Sequence, residues 1–303
     1  SKTYDDHPNF HFLEWDAKDT SKLQEILVQN KIHIFVSGAA IIGGITMFHE
    51  LAYDLLRENE LITAAAFDAC LYAQKHSTYF EKIVVVSSSM VFESTEHYPS
   101  KESDVRISNP PLSTYGFQKL AVEYWAQGAW EQYKLPYTII RPFNAVGTGE
   151  KRARLETECY SGNIKLAMSH VVPDLVQKIL KGQYPLRILG EGNQVRHYTY
   201  AGDLANGFYE CIMNPKALND DFNISTPKGH TVLELAEIIW NKINPEKELK
   251  IESDKAYTYD VQKRVPDVTK AKEVLGLECN TSLEEALDEI IPWIKKQMEI
   301  GGI

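Results

Sequence analysis

Three side chains in this sequence can act on one alcohol: the hydroxyl of Ser88, the phenol of Tyr115 and the ammonium of Lys119. In the stretch Ser113-Thr114-Tyr115-Gly116-Phe117-Gln118-Lys119, a helix beginning at Leu112 puts Tyr115 and Lys119 at i and i+4, on one face. A nearby cation favours the phenolate, drawing a pKa of roughly 10 toward working pH, where tyrosine serves as a general base. Ser88 follows the strand-like run Ile83 to Ser87 and can hold the same substrate oxygen. Together they would take a proton and a hydride from an alcohol. The Y-x-x-x-K spacing alone is common, and the plain alternatives are a strand-ending serine and a solvated tyrosine and lysine on an ordinary helix.

The elements around these residues narrow the choice. Phe10 to Glu14 reads as a short strand, and Asp19 to Gln29 as a helix with Asp19 or Thr20 as its cap. Ile32 to Val36 is a second apolar strand, followed by a loop holding Gly38, Gly43 and Gly44, then helical spacing from Leu51 to Gln74. Lys82 to Ser87 is the next strand, 113 to 132 the next helix, and Tyr137 to Arg141 a strand stopped by Pro142. Strands alternating with long helices imply right-handed crossovers and a parallel sheet covered on both faces.

Beyond Asn144 the rhythm changes. Residues 148 to 168 are polar and charged, a loop or small lobe able to vary with substrate. Helix-like Val172 to Leu180 precedes strand-like segments at Pro185 to Leu189 and His197 to Tyr200. Gly202 to Met213 and Val232 to Ile243 are amphipathic helices, with Trp240 as core, and Ser282 to Met298 is a capped terminal helix that closes a second lobe.

The 303 residues carry 32 Lys+Arg against 42 Asp+Glu, a net charge of −10. That balance argues against a nucleic-acid or anionic-membrane partner, while leaving room for a local phosphate pocket. Cys70, Cys159, Cys211 and Cys279 form no close pair and no metal-ligand spacing, so no metal is expected. Neither a leader-like stretch nor an apolar run of about 20 residues is seen, and a cytoplasmic setting is the expectation.

In order along the chain, these landmarks resemble the extended short-chain dehydrogenase/reductase family, in its nucleotide-sugar epimerase and dehydratase branch. Trp15-Asp16 is similar to the adenine-side aspartate after the family's third strand, and Ser37-Gly38-Ala39-Ala40 to its cofactor loop, with Ser37 in place of the usual histidine. Asn59 resembles the asparagine of the following helix; Ser88, Tyr115 and Lys119 the catalytic triad; Arg141-Pro142-Phe143-Asn144 the segment reaching cofactor and sugar. His170-Val171-Val172-Pro173, Arg196, Asp203, Arg264 and Asp267 resemble later landmarks.

The resemblance implies an α/β fold: a Rossmann-like parallel sheet with its first strands missing from this chain, and a smaller α/β substrate-binding lobe. Residues 1–145 would form the cofactor-binding and catalytic region, and 146–303 mainly the substrate lobe, with some segments returning to the sheet. It implies NAD, contacted by Asp16, Ala39, Ala40, Asn59, Tyr115, Lys119 and Pro142. A nucleotide-diphosphate sugar would contact Ser89, Met90, Asn144 and His170, with Val172 and Leu189 at its base. Arg196 and Arg264 would meet its phosphates, unless they instead pair with Asp203 or Asp267, and Asp267 is itself assigned to the substrate site. Helices 51–74 and 113–132 resemble the pair that forms a homodimer interface in this family.

The largest departure is at the start. Family members open with a glycine-rich turn whose backbone donors bind the dinucleotide pyrophosphate, and roughly 35 to 50 residues of that kind do not precede His7 here. The expectation is a piece of a longer chain rather than a shortened enzyme. Next to Ser88, a 4,6-dehydratase would carry Asp and Glu, and a 3,5-epimerase a cysteine at position 90. This sequence has Ser89 and Met90, which leaves 4-epimerisation through a transient keto sugar as the simplest reaction. Decarboxylation, 4-keto reduction and dehydration stay open, as does an inactive nucleotide-sugar-binding homolog. Glu93 stands where glycine is common in the family.

Overall fold

The computed structural model describes residues 7–42, 51–149, 159–161, 164–166, 170–255 and 261–301. Gly43 and Gly44, and most of the polar stretch from 148 to 168, lie outside them, as does the side chain of Cys159.

Four parallel strands form the main sheet in the order Ile34–Ser37, Lys82–Val86, Tyr137–Pro142, Asp220–Ile224. Their registers pair Ile34 with Lys82, Ile83 with Tyr137 and Thr138 with Asp220. Successive side chains leave opposite faces of a strand, and here both faces are apolar. Ile83, Val85 and Ile139 pack toward the helices Thr20–Gln29, Ala52–His76 and Thr114–Tyr133. Val84, Ile140 and Phe222 pack the other way, toward Ala201–Met213 and Thr269–Leu275. That three-layer arrangement is a Rossmann-like α/β fold, with the last strand drawn from far along the sequence.

A separate core joins the helices Val171–Leu180, Val232–Ile243 and Leu283–Glu299 around Leu175, Val176, Leu235, Trp240, Leu287 and Ile290. Ser282 and Glu285 form a reciprocal capping box on the terminal helix, and Thr231 and Glu234 do the same for Val232–Ile243. Trp240 is core, with its indole N–H donating to the Lys247 carbonyl at 2.6 Å. Leu186–Leu189 pairs in parallel with Ile251–Asp254 in this half.

Two sequence expectations change. Phe10 to Glu14 is not a strand: it finds no neighbouring ladder among the described residues, and Phe12 is 70% exposed. Of the run from His197 to Tyr200 only the end is strand, and a second short strand lies just before it. Thr199–Tyr200 pairs in parallel with Ala145–Val146, while Val195–Arg196 pairs antiparallel with His230–Thr231. An extended sequence becomes strand only where another backbone takes its hydrogen bonds. No described helix is long and apolar enough to cross a membrane.

Candidate active site

The strand Lys82–Val86 ends at Ser88, whose backbone is extended and whose Oγ accepts from the Met90 N–H at 3.2 Å, starting a tight turn over Ser89–Phe92. The hydroxyl proton of Ser88 remains to donate, and the Ser88 side chain hydrogen-bonds Tyr115. Tyr115 and Lys119 lie in the first two turns of Thr114–Tyr133, which Ser113 caps by accepting from the Gly116 N–H at 3.0 Å. Lys119 is 6% exposed and donates to the Val86 carbonyl at 2.9 Å, with its ammonium 6.0 Å from the Tyr115 ring centre. One strand end and one helix start therefore hold all three groups.

The electrostatics differ from the expectation of a lysine pulling the phenol down. Burial pushes the Tyr115 phenol up, and it is the Ser88 hydrogen bond and the charge of Arg264 that oppose the rise. Lys119 is itself buried, which lowers its pKa to about 8. Its ammonium is engaged by the Val86 carbonyl rather than by the phenol oxygen. Burial penalises both charged forms.

These groups open into a cavity of about 630 Å³. As in open parallel sheets generally, it lies at the carboxyl ends of the strands: Gly38, Ser88 and Asn144, just past three of them, all line it. Of the residues singled out in the sequence, Ala40, Pro142, Ser89 and Met90 line the same cavity. So do His170, Val172, Leu189, Arg196 and Arg264 from the second core's side. Arg264 also donates to the Asn144 side-chain oxygen at 3.4 Å.

Six others are placed elsewhere. Ala39 is outside the cavity wall between two residues that line it. Asn59 lies beneath the loop, where its amide accepts from the Ile41 N–H at 2.7 Å and donates to the Ile41 carbonyl at 3.0 Å. It fixes the loop's shape rather than facing the cavity. Asp16 sits on the unpaired stretch near the start, its side chain 63% exposed and facing Lys18. Asp267 accepts from the Thr269 N–H at 2.8 Å at the start of a helix, and Asp203 is held by Thr281, so neither forms the ion pair considered for Arg196 or Arg264. Arg141 does not reach the cavity: its guanidinium is 1% exposed and tied to Glu123 and Asp221 behind the strand.

Several lining residues were missed. Glu93 accepts from both the N–H and the hydroxyl of Ser113, at 3.0 and 2.7 Å, and so fixes the residue that caps the Tyr115 helix. Asp174 and Lys178 enter from Val171–Leu180 and Trp293 from the terminal helix. An i, i+4 carboxylate and ammonium inside the apolar run Val-Val-Pro-Asp-Leu-Val-Gln-Lys was the available signal.

A parallel α/β sheet with a buried serine and lysine and a half-buried tyrosine at its carboxyl edge defines the class of dinucleotide-dependent enzymes that act on hydroxyl groups. The model of the NAD dependent epimerase/dehydratase family matches residues 1–225, and the chain belongs to that family, among its extended short-chain dehydrogenase/reductase members. UDP-glucuronic acid decarboxylase 1 of Danio rerio is 26% identical over 220 residues, 72% of this chain and 48% of that protein, so the chain spans about half the length of that relative. A putative UDP-glucose 4-epimerase of Methanocaldococcus jannaschii is 26% identical over 289 residues, covering 95% of this chain and 85% of that one. In fold, the chain resembles the UDP-glucuronic acid 4-epimerase of Bacillus cereus, solved with UDP-glucuronic acid and NAD, at a TM-score of 0.79 and 22% identity over 97% of this chain and 84% of that one.

NAD is the family's cofactor, and the residues present fit its nicotinamide riboside end. Among the described residues Lys119 makes one hydrogen bond, to Val86, so two of its three N–H donors remain for acceptors such as ribose hydroxyls. The loop Gly38 to Ile42 that Asn59 secures forms the adjoining wall.

Proposed function

We propose that the protein interconverts nucleotide-diphosphate sugars by 4-epimerisation through a transient 4-keto sugar. The observation that carries this reading is the meeting of Ser88, Tyr115 and Lys119 at one end of the cavity, with Ser89 and Met90 where elimination would require carboxylates. Bound NAD supplies the hydride acceptor and donor.

In this reading the sugar hydroxyl lies between Ser88 and Tyr115. Ser88 donates to the reacting oxygen and holds it in line, while Tyr115 removes its proton. With the Ser88 proton engaged by the sugar oxygen, the Arg264 charge makes the phenolate less costly than burial alone would. Lys119 holds the ribose side of the cofactor. On the return step Tyr115 gives the proton back to the same oxygen, after the keto sugar has turned its other face, so no net redox change results. Arg196 and Arg264 supply planar guanidinium groups for the diphosphate, and Asn144 contacts the sugar or fixes the backbone beside it.

A decarboxylase is the second reading, favoured by the likeness to the Danio rerio protein. The same oxidation would make a sugar acid into a β-keto acid that releases CO2. Incubating the full-length protein with NAD and UDP, GDP, CDP and dTDP sugars, neutral and uronic, tests both. A 4-epimer without net NADH supports epimerisation. Release of CO2 supports decarboxylation, and a 4-keto-6-deoxy product overturns both.

The division at 145/146 into a cofactor region and a substrate lobe, and a cytoplasmic setting, belong to the same reading. So does a homodimer. The helices Ala52–His76 and Thr114–Tyr133 pack together and leave Tyr124 66%, Tyr133 53% and Phe117 49% exposed along one surface. Sedimentation should find a dimer that Tyr124→Glu weakens, and a monomer at all concentrations would refute it.

A further inference from the structure

Among the described residues two carboxylates line the cavity, and they differ in what balances them. Asp174 meets the Lys178 ammonium at 2.8 Å. Glu93 forms no ion pair with a described residue. Both of its hydrogen bonds fall on one oxygen: Oε2 accepts the Ser113 N–H at 3.0 Å and the Ser113 hydroxyl at 2.7 Å. Oε1 has no partner among the described residues, and on this half-buried side chain it is not sealed from solvent. The carboxylate is therefore anchored at one oxygen and open at the other.

Glu93 stands at the reacting end of the cavity. It follows the turn Ser89–Phe92, its N–H donating to the Met90 carbonyl at 3.1 Å. Its Oε2 lies 2.7 Å from where a Cβ on Gly116 would sit, and Gly116 is the residue after Tyr115. The cations of the wall are on other elements and hold other acceptors: Lys119 the Val86 carbonyl, Arg196 the Val195 carbonyl and Arg264 the Asn144 side chain. Securing Ser113 needs an acceptor but not a charge, because a glutamine carbonyl could take both Ser113 bonds. The negative charge on the cavity wall goes beyond that supporting role.

We infer that Glu93 selects the sugar by charge, its open oxygen accepting a hydroxyl of a neutral sugar and repelling the carboxylate of a uronic acid. The inference rests on the nucleotide-sugar reading above and narrows it to sugars without a carboxylate. A hydroxyl that donates to Oε1 replaces the water a carboxylate gives up when the cavity fills. A sugar carboxylate has no proton to donate, and like charges brought together in a cavity repel.

The test compares Glu93 with Glu93→Gln, both in a Tyr115→Phe background so that no sugar is consumed. Each protein, loaded with NAD, is titrated calorimetrically with UDP-, dTDP-, GDP- and CDP-glucose and with the glucuronic acid counterpart of each. On the nucleotide that binds, the protein with Glu93 should hold the neutral sugar about tenfold or more tighter than the uronic one. Glu93→Gln should reduce that ratio about tenfold. A residue that only supported Ser113 would weaken both sugars alike and leave the ratio where it was, and the ratio is read within one preparation, so it does not depend on how much of the variant is folded. A ratio unmoved by Glu93→Gln, or a uronic sugar bound as tightly as the neutral one when Glu93 is present, would overturn the inference alone. Failure of every nucleotide sugar to bind a preparation that binds NAD would overturn the nucleotide-sugar reading, and this inference with it.

Discussion

Glu123 and Arg141 form a two-point ion pair, both oxygen-to-nitrogen distances 2.7 Å and both side chains 1% exposed. Glu123 is one turn beyond Lys119 on the same helix, and Arg141 lies on the strand that ends at Pro142. Asp221 on the next strand meets the same guanidinium, and Ser87 donates to Glu123 at 2.5 Å. The pair therefore pins the Tyr115 helix to two strands of the sheet from below.

Breaking it should be expensive. Glu123→Ala leaves buried Arg141 with Asp221 alone, and Arg141→Leu leaves buried Glu123 with only the Ser87 hydroxyl, so equilibrium denaturation should show a loss of about 3 to 5 kcal/mol for either.

Tyr115→Phe removes the proton-transferring group and little else. Turnover should fall by about a hundredfold or more, while nucleotide binding by calorimetry and the melting temperature stay near those of the unmodified protein. Unchanged turnover would refute the role given to Tyr115.

The pH dependence has a definite sign. Because the folded protein holds the Tyr115 phenol above its ordinary pKa, the rate of alcohol oxidation should climb as pH rises into the alkaline range. The Ser88 hydrogen bond pulls that pKa down, so Ser88→Ala should shift the climb to higher pH as well as slow the reaction. A pH profile that does not move would remove Ser88 from the phenol's environment.

Lys119 makes the opposite contribution to stability from a salt-bridged lysine. Its pKa falls from 10.5 to about 8 on folding, so the unfolded chain binds more protons between those values. The cost of holding it charged is fully present below pH 8 and is relieved as pH rises toward 10.5, by about 3 kcal/mol in all. Lys119→Met should therefore be more stable than the unmodified protein at pH 7, less whatever the lost Val86 bond was worth. The gap should close as the pH is raised. Chemical denaturation at pH 7 and 9.5 measures both.

Gly116 cannot be replaced cheaply. A Cβ there would lie 2.7 Å from the Glu93 carboxylate, 2.7 Å from Pro111 Cβ and 2.9 Å from the Met90 carbonyl. Gly116→Ala should reduce turnover through its neighbour Tyr115 and cost about 1 to 3 kcal/mol of stability. Glu93→Ala should not rescue it, because the Met90 carbonyl is backbone and cannot swing aside.

The sequence made the catalytic corner legible because each of its parts has a local rule. A helix period put Tyr115 and Lys119 on one face, an apolar run ended at Ser88, and the alternation of strands and helices required a parallel sheet. The segment 141–144 reaches the cavity through Pro142 and Asn144, but the burial of Arg141 was not legible, because strand alternation says which face a side chain leaves, not which partner waits there; Glu123 decided that. Asp16 and Phe10 to Glu14 depended on a pairing that no local pattern can supply. Glu93 was visible as a departure, yet its bond to Ser113 depends on how the turn after Phe92 meets the helix. Asp174 and Lys178 were passed over, because their i, i+4 spacing does not say which face of the helix meets a cavity.

The sheet's fourth strand, Asp220–Ile224, pairs with Tyr137–Pro142 across some 80 residues of intervening chain. That separation bears on the order in which the molecule folds. Contacts so far apart carry a high loop-closure entropy and tend to form late. Asp221 belongs to that strand, so the third member of the Arg141 cluster arrives only after the chain has passed through Val171–Leu180 and Ala201–Met213. During synthesis the Tyr115 helix would emerge with its sheet unfinished, and the register beneath it would lock when the returning strand zips into place. Assembly of the catalytic corner is thus tied to completion of chain that supplies none of its three reacting side chains.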